Sequence, residues 1–449
     1  MSERRRVLEL FEEDKDVLEK KIASGIENHR KGDCKIKFVS KDGSPLKGVK
    51  VKFSQKSHEF RFGANLFMLD ELETKEKNES YKKYFKELFN MATLPFYWNT
   101  LEPQKGCQRY DKNSEKIYRR PAIDLCMEFC EENGIEPREH ALAYEHFFPD
   151  WLKGKSNEEV KIELERRCSE ISKRYADKIP TIEVTNEMVW EKGVTEFYDS
   201  PNYVLDCFKI AEKYFKNNQL CINEATDCTW GGGIRTTEAY YAYIEANLLK
   251  GARIDAVGMQ YHLFFTKENE YSATRKLLDP VRLYKNMDLY SRFGKPLQIT
   301  EVTIPSYSWE KEDEEIQAEI IEKLYSIWFS HPAVEQIIYW NLVDGYAHVW
   351  ENDPVKIKRT QGDMTIGENY YHGGLLRFDL TPKPAYYKIK ELITERWHTE
   401  EELTTDEDGC VSFRGFYGNY EFNLSGEKEE RTGAFLLSSK GENTLVITV

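Results

Sequence analysis

Eight short apolar stretches recur through the middle of this chain, each separated from the next by a helical pattern. They lie at 61–67, 89–95, 137–145, 181–187, 220–226, 255–263, 296–302 and 336–344. Helical periodicity fills the gaps, for example at 123–133, 157–175, 203–217 and 313–330. Strand followed by helix, repeated, implies parallel βα units. Eight such units predict an α/β fold, a closed (β/α)8 TIM barrel, whose working side chains sit at the carboxyl ends of its strands.

Two of the eight runs end in glutamate: Thr181-Ile182-Glu183-Val184-Thr185-Asn186-Glu187 and Pro296-Leu297-Gln298-Ile299-Thr300-Glu301. On strands four and seven of a barrel, Glu187 and Glu301 would face one cleft. Two facing carboxylates are the minimum equipment for cutting a glycosidic bond. In the retaining version one is protonated and one ionised, about 5–5.5 Å apart. Repulsion and unequal burial would separate their pKa values. Asn186 comes just before Glu187, and at a bent strand end both could reach the mouth.

Bulk properties exclude several alternatives. The net charge is −14, which disfavours nucleic acid or an anionic membrane as the main partner. No run approaches the roughly 18 apolar residues of a membrane span. The basic start, Arg4-Arg5-Arg6, is not followed by an apolar secretion core, so a cytoplasmic protein is expected unless a leader was removed. Nine scattered cysteines form no CxxC, and Cys126 and Cys130, which share a helix face, have no histidine near them in sequence, which argues for buried reduced thiols and against zinc. Two carboxylates supply both proton and nucleophile, so no metal or organic cofactor is needed. Aromatics make up 13% of the chain; beyond the core, such rings suit stacking on the apolar faces of sugars.

The ends have a different texture. Residues 1–33 read as a charged amphipathic helix stopped at Lys31-Gly32-Asp33. Residues 34–60 alternate around a Lys41-Asp42-Gly43 turn, as in a β hairpin. Residues 398–449 alternate likewise, from Val411-Ser412-Phe413 to Val446-Ile447-Thr448. The expected organisation is a helix, a hairpin segment, a barrel over 61–397 and a C-terminal β segment, with both ends joined in one small β module. Residues 351–372, polar and aperiodic, read as a long loop shaping the cleft after the eighth strand.

The order of motifs resembles glycoside hydrolase family 10, the β-1,4-xylanase family. The matching strings are Phe62-Gly63-Ala64, Trp98 with Glu102-Pro103, His140-Ala141-Leu142, Pro149-Asp150-Trp151, Asn186-Glu187, Met259-Gln260-Tyr261-His262, Ile299-Thr300-Glu301, Trp340 and Pro382-Lys383-Pro384-Ala385-Tyr386-Tyr387. The resemblance spans roughly 60–395. It implies hydrolysis of β-1,4-xylosidic bonds in xylan or xylo-oligosaccharides by double displacement. Glu187 would be the acid/base and Glu301 the nucleophile. Asn186 would bind the −1 sugar, His262 would bond the nucleophile, and Gln260 would join that network. Trp340 would form the floor or wall of the −1 pocket, and Trp350 would wall the leaving-group side.

Two departures fall in the cleft. The family's Asn-x-x-Lys-Trp run after strand two is replaced by Thr93-Leu94-Pro95-Phe96-Tyr97-Trp98, which lacks the lysine and places Tyr97 before the tryptophan. The family's Trp-His pair after strand three aligns with Tyr144-Glu145, leaving His146 as a stand-in or Glu145 as a third carboxylate. Short, decorated or unusual xylo-oligosaccharides are therefore the expected substrates. The competing readings are a retaining glycosidase for aryl or gluco-type substrates and a carbohydrate-binding barrel without turnover.

Overall fold

The computed structural model describes residues 3–189, 193–351, 354–425 and 430–449. Eight parallel strands close into a barrel: β1 (Arg61–Asn65), β2 (Met91–Pro95), β3 (Glu136–His140), β4 (Thr181–Asn186), β5 (Gln219–Asn223), β6 (Ala256–His262), β7 (Leu297–Thr303) and β8 (Val334–Tyr339). The ring closes where β8 pairs with β1, Gln336 opposite Arg61 and Tyr339 opposite Ala64. Nearly every strand residue is buried, because helices cover the outside and neighbouring side chains fill the inside. This is why the strands read as continuous apolar runs.

Helix boundaries follow local chemistry. The helix Asn157–Tyr175 starts with a capping box in which Ser156 and Glu159 exchange side-chain and backbone hydrogen bonds. It buries Val160, Leu164, Cys168 and Ile171, one stripe at helical spacing. The helix Ile123–Asn133 ends on Gly134, whose φ of 63° takes the left-handed cap.

Three expectations at the margins are corrected. The first long helix, Lys15–His29, ends before Lys31-Gly32-Asp33, which instead begin the strand Lys31–Val39. Arg30 turns the chain there, donating to the carbonyls of Phe329, His331 and Val334. The Tyr417 ring packs over Gly32, where a Cβ would lie 2.5 Å from the ring's outer edge. Residues 34–60 do not form a hairpin. Lys31–Val39 pairs with Cys410–Phe416 and Thr444–Thr448, whereas Lys50–His58 pairs with Glu400–Thr404 and Gly418–Ser425. The strands face each other across a two-layer module, with Ile36, Phe38, Val51, Phe53, Val411 and Phe422 in one core. Alternation reports which face is buried, not which strand lies alongside. Third, the stretch after β8 contains the helix Pro354–Arg359 and a turn of 3-10 helix at Gly367–Tyr371; residues 352–353 within it lie outside the described residues.

The module meets the floor of the barrel through aromatic rings. Trp397 stacks on Phe329 at 4.2 Å and lies over Phe62 at 5.8 Å, and Phe416 of the module joins Phe329 at 6.2 Å. At the opposite face the strands open into the cleft. Six cysteines are buried and two half-buried, but Cys107 is exposed, contrary to the expectation for it. Among the described residues no helix is long and apolar enough to cross a membrane.

Candidate active site

A cavity of about 510 Å³ opens at the carboxyl ends of the strands, within the range of small-molecule sites. Glu187, Glu301, Asn186, Gln260, His262, Trp340, Tyr97, His146 and Trp350 all line it.

Both carboxylate-bearing strands are bulged just before the carboxylate. On β4 the pairing with β5 slips between Glu183 and Thr185. On β7 it slips at Thr300, so that Gln260 stands opposite Glu301. Bulges re-aim side chains. Glu187 itself has a φ of 54°, left-handed backbone that costs about 1 kcal/mol in a non-glycine residue. Its amide is held by the Asn223 carbonyl at 3.2 Å and its carbonyl by the Tyr198 hydroxyl at 3.0 Å. This bend lets the adjacent Asn186 and Glu187 serve one cleft.

One relay of amides joins the two carboxylates. Gln260 Nε2 donates to Glu187 Oε1 (2.9 Å) and Asn186 Oδ1 (3.2 Å). Asn223 Nδ2 donates to Asn186 Oδ1 (2.9 Å), Glu301 Oε1 (3.2 Å) and Glu183 Oε1 (3.3 Å). Asn223 Oδ1 in turn accepts from the Thr300 hydroxyl at 2.7 Å, so the bulge residue locks the amide's orientation. The Tyr144 hydroxyl donates to Glu187 Oε2 in a short contact. The buried Asn186 Nδ2 has no protein partner, a donor left for a ligand.

His262 Nε2 lies 3.2 Å from Glu301 Oε2, and its Nδ1 lies 2.9 Å from the Thr303 hydroxyl. Burial lowers this histidine to about 4, so it is neutral. The threonine hydroxyl then donates to Nδ1, and Nε2–H donates to the carboxylate. Burial pushes the Glu301 carboxyl well above its ordinary range; His140 opposes the shift, and Glu183 and Glu187 add to it. Under the site, Arg138 and Glu183 form a buried ion pair at 2.5 Å. Glu183 also bonds His140 Nδ1 at 2.8 Å. Burial would depress His140, but the Glu183 carboxylate outweighs it and raises its pKa. Arg138 and His140 thus share one buried carboxylate beneath Glu301.

Rings shape the walls. Trp340 meets Phe67 at 5.3 Å, His140 at 5.5 Å and His262 at 6.1 Å, and forms the floor. Tyr97 stands beside it, its hydroxyl 3.1 Å from His140 Nε2. His146 packs edge-on to Phe147 at 4.9 Å. Trp350 is 72% exposed and sits on the rim against His348, on the arginine-lined side of the cleft.

Glu145 is not part of the cleft. Its carboxylate accepts from the Val194 and Thr195 amides (3.0 and 3.1 Å) and the Thr195 hydroxyl (2.6 Å). It turns away from its neighbours Tyr144 and His146 and clamps the chain beyond Glu187. Burial pushes it up to about 7 against these bonds. Sequence reasoning missed Asn223, Tyr144 as a donor, the Arg138–Glu183–His140 cluster, and Arg119 and Arg120. An Asn inside the apolar run predicted as the fifth strand, 220–226, was the one available signal.

The model of "Glycosyl hydrolase family 10" matches residues 55–392, and the chain belongs to that family. It is 26% identical to the anti-sigma-I factor RsgI6 of Acetivibrio thermocellus over 93% of this chain and 48% of that protein. It is 23% identical to endo-1,4-beta-xylanase 2 of Arabidopsis thaliana over 94% of this chain and 35% of that one. The chain therefore spans half or less of these two curated relatives. Xylanase 10B from Thermotoga petrophila RKU-1, solved with xylobiose, shares the fold with a TM-score of 0.57 and 21% identity, over 75% of this chain and 95% of that one.

Proposed function

We propose that the protein is a retaining glycoside hydrolase that cleaves β-1,4-xylosidic bonds in xylan or xylo-oligosaccharides. The observation that carries this reading is the relay from Glu187 through Gln260, Asn186 and Asn223 to Glu301, on a cleft floored by Trp340. A sugar on that floor offers its anomeric carbon to Glu301, whose ionised form receives bonds from Asn223 and His262. Glu187 protonates the leaving oxygen and then, as a base, activates the water that hydrolyses the glycosyl-enzyme. The leaving group departs on Glu187's side, over Thr226 and Asp227 after β5. In this reading the glycone continues toward the loops after β2 and β8.

Family membership and the xylanases among the relatives support this substrate. One relative is an anti-sigma factor, which gives a second reading, a barrel that binds sugar without turnover. Hydrolysis of nitrophenyl β-xylobioside, abolished by Glu301→Gln, would establish the first. Binding of xylo-oligosaccharide with no turnover by the unsubstituted protein would establish the second.

A further inference from the structure

The loop after β2 delivers two adjacent arginines to the cleft, at the end that the reading above gives to the glycone. Arg119 and Arg120 are only 5% and 8% exposed, yet both line the cavity. Their placement is enforced. Arg119 is held at a φ of 62°, in a turn closed by the Arg120 amide on the Ile117 carbonyl (2.9 Å). Behind it Arg109 donates to the carbonyls of Thr100 (2.8 Å), Glu115 (2.8 Å) and Arg120 (3.2 Å). Strained backbone with this much support is a mark of functional loops.

The two guanidinium groups differ. Arg119 is committed to Asn341 Oδ1 (3.2 and 3.3 Å) and the Tyr346 carbonyl. Arg120 makes one bond, Nη1 to the Arg119 carbonyl at 2.9 Å, and the Nε of both arginines is buried without a partner. Among the described residues Arg120 forms no ion pair with a carboxylate, and Glu368 acts on it only at longer range. Its charge rests on rings instead, 3.8 Å from the centre of Tyr97, 5.3 Å from Phe67 and 5.7 Å from Phe147. Burial lowers its pKa to about 10, which leaves it charged at neutral pH. Glu368 faces the same cavity, but its carboxylate receives Asn341 Nδ2 at 3.1 Å and the His348 amide at 3.4 Å. His348 is neutral, since burial and the two arginines lower it to about 3.

A buried cation without a counter-ion is costly, and a neutral ligand closing over it removes still more water. A ligand carboxylate reverses that cost through paired, charge-assisted bonds to the guanidinium fork. We propose that Arg120 is a specificity residue that binds the carboxylate of a uronic-acid branch carried by the glycone of a xylo-oligosaccharide. This rests on the xylosidic reading above and adds the acidic class of substrate to it. The three rings fix the guanidinium plane, so recognition needs little ordering on binding.

The test compares kcat/KM on a glucuronic-acid-branched xylo-oligosaccharide and on the unbranched oligosaccharide of the same backbone length. The unsubstituted enzyme should favour the acidic substrate, and the preference should shrink as ionic strength rises. In Arg120→Met the acidic-to-neutral ratio should fall by about 30-fold, the size expected for loss of a charge-assisted pair. Arg120→Lys should recover part of it. An unchanged ratio in Arg120→Met, or no acidic preference in the unsubstituted enzyme, overturns the proposal. Calorimetric titration with the same two oligosaccharides reads the preference independently of turnover. Lack of hydrolysis of both would therefore count against the catalytic reading, and equal affinity for both against the role of Arg120.

Discussion

Asn223 bonds Glu301 directly and shares the Asn186 oxygen with the Gln260 amide that holds Glu187, and Asn223→Ala is the most informative single perturbation. The residue is fully buried at the end of β5. Its amide donates to Glu301, Asn186 and Glu183, and its oxygen takes the Thr300 hydroxyl. Truncation removes one of the two donors that stabilise ionised Glu301. A hydrogen bond to a charged group is worth roughly 1.5–3 kcal/mol, so kcat/KM on nitrophenyl β-xylobioside should fall roughly 10- to 150-fold at ~1.4 kcal/mol per decade. The Thr300 hydroxyl and the Asn186 oxygen also lose a partner, so the melting temperature should fall by several degrees. Gly258 offers an independent approach to the same atom. A Cβ there would sit 2.5 Å from Asn223 Oδ1, so Gly258→Ala should push the amide off its partners and reproduce part of the kinetic loss. A threefold or smaller change in kcat/KM for Asn223→Ala, with stability lowered, would refute the idea that this amide tunes the nucleophile.

Three further outcomes are expected. Glu301 is raised by burial, so its ionisation is unfavourable in the folded protein and stability falls as pH rises through its folded pKa; Glu301→Gln should therefore raise the melting temperature by about 2–5 °C at pH 7 and by little at pH 4, as read by calorimetry. The same shift places the acid limb of the kcat/KM profile above the ordinary carboxylate range, with activity lost as pH falls through the raised value, and Glu301 in its ionised form on the high-pH side. Glu145→Ala should act on the chain beyond Glu187, lowering stability by about 2–4 kcal/mol through three lost bonds, while Glu145→Gln, which keeps an acceptor oxygen, should lose less in chemical denaturation.

The barrel was legible because buried parallel strands are apolar on both faces and have a narrow range of lengths, which eight stretches satisfied. The two glutamates were legible as charges at the ends of such stretches. Less local features were not. Whether Lys31–Val39 and Lys50–His58 pair with each other or face each other is decided by Cys410–Phe416 and Gly418–Ser425, more than 350 residues away. Glu145 sits between two cleft residues, and only the loop geometry turns it toward Thr195. Asn223 and Arg120 gain their importance from what they face: one from the bulge at Thr300, the other from a ring of aromatics on three separate loops. Neither partner set has a spacing that a one-dimensional pattern can express.

During turnover Glu301 carries a glycosyl group. Incubation with a dinitrophenyl 2-deoxy-2-fluoro-β-xylobioside, which slows breakdown of such an intermediate, followed by peptide mass spectrometry, addresses it directly. The expected result is a burst of one dinitrophenolate per chain and a fluoroxylobiosyl adduct on the peptide bearing Glu301. An adduct on any other residue, or hydrolysis of nitrophenyl β-xylobioside to an α-configured first product, would contradict it.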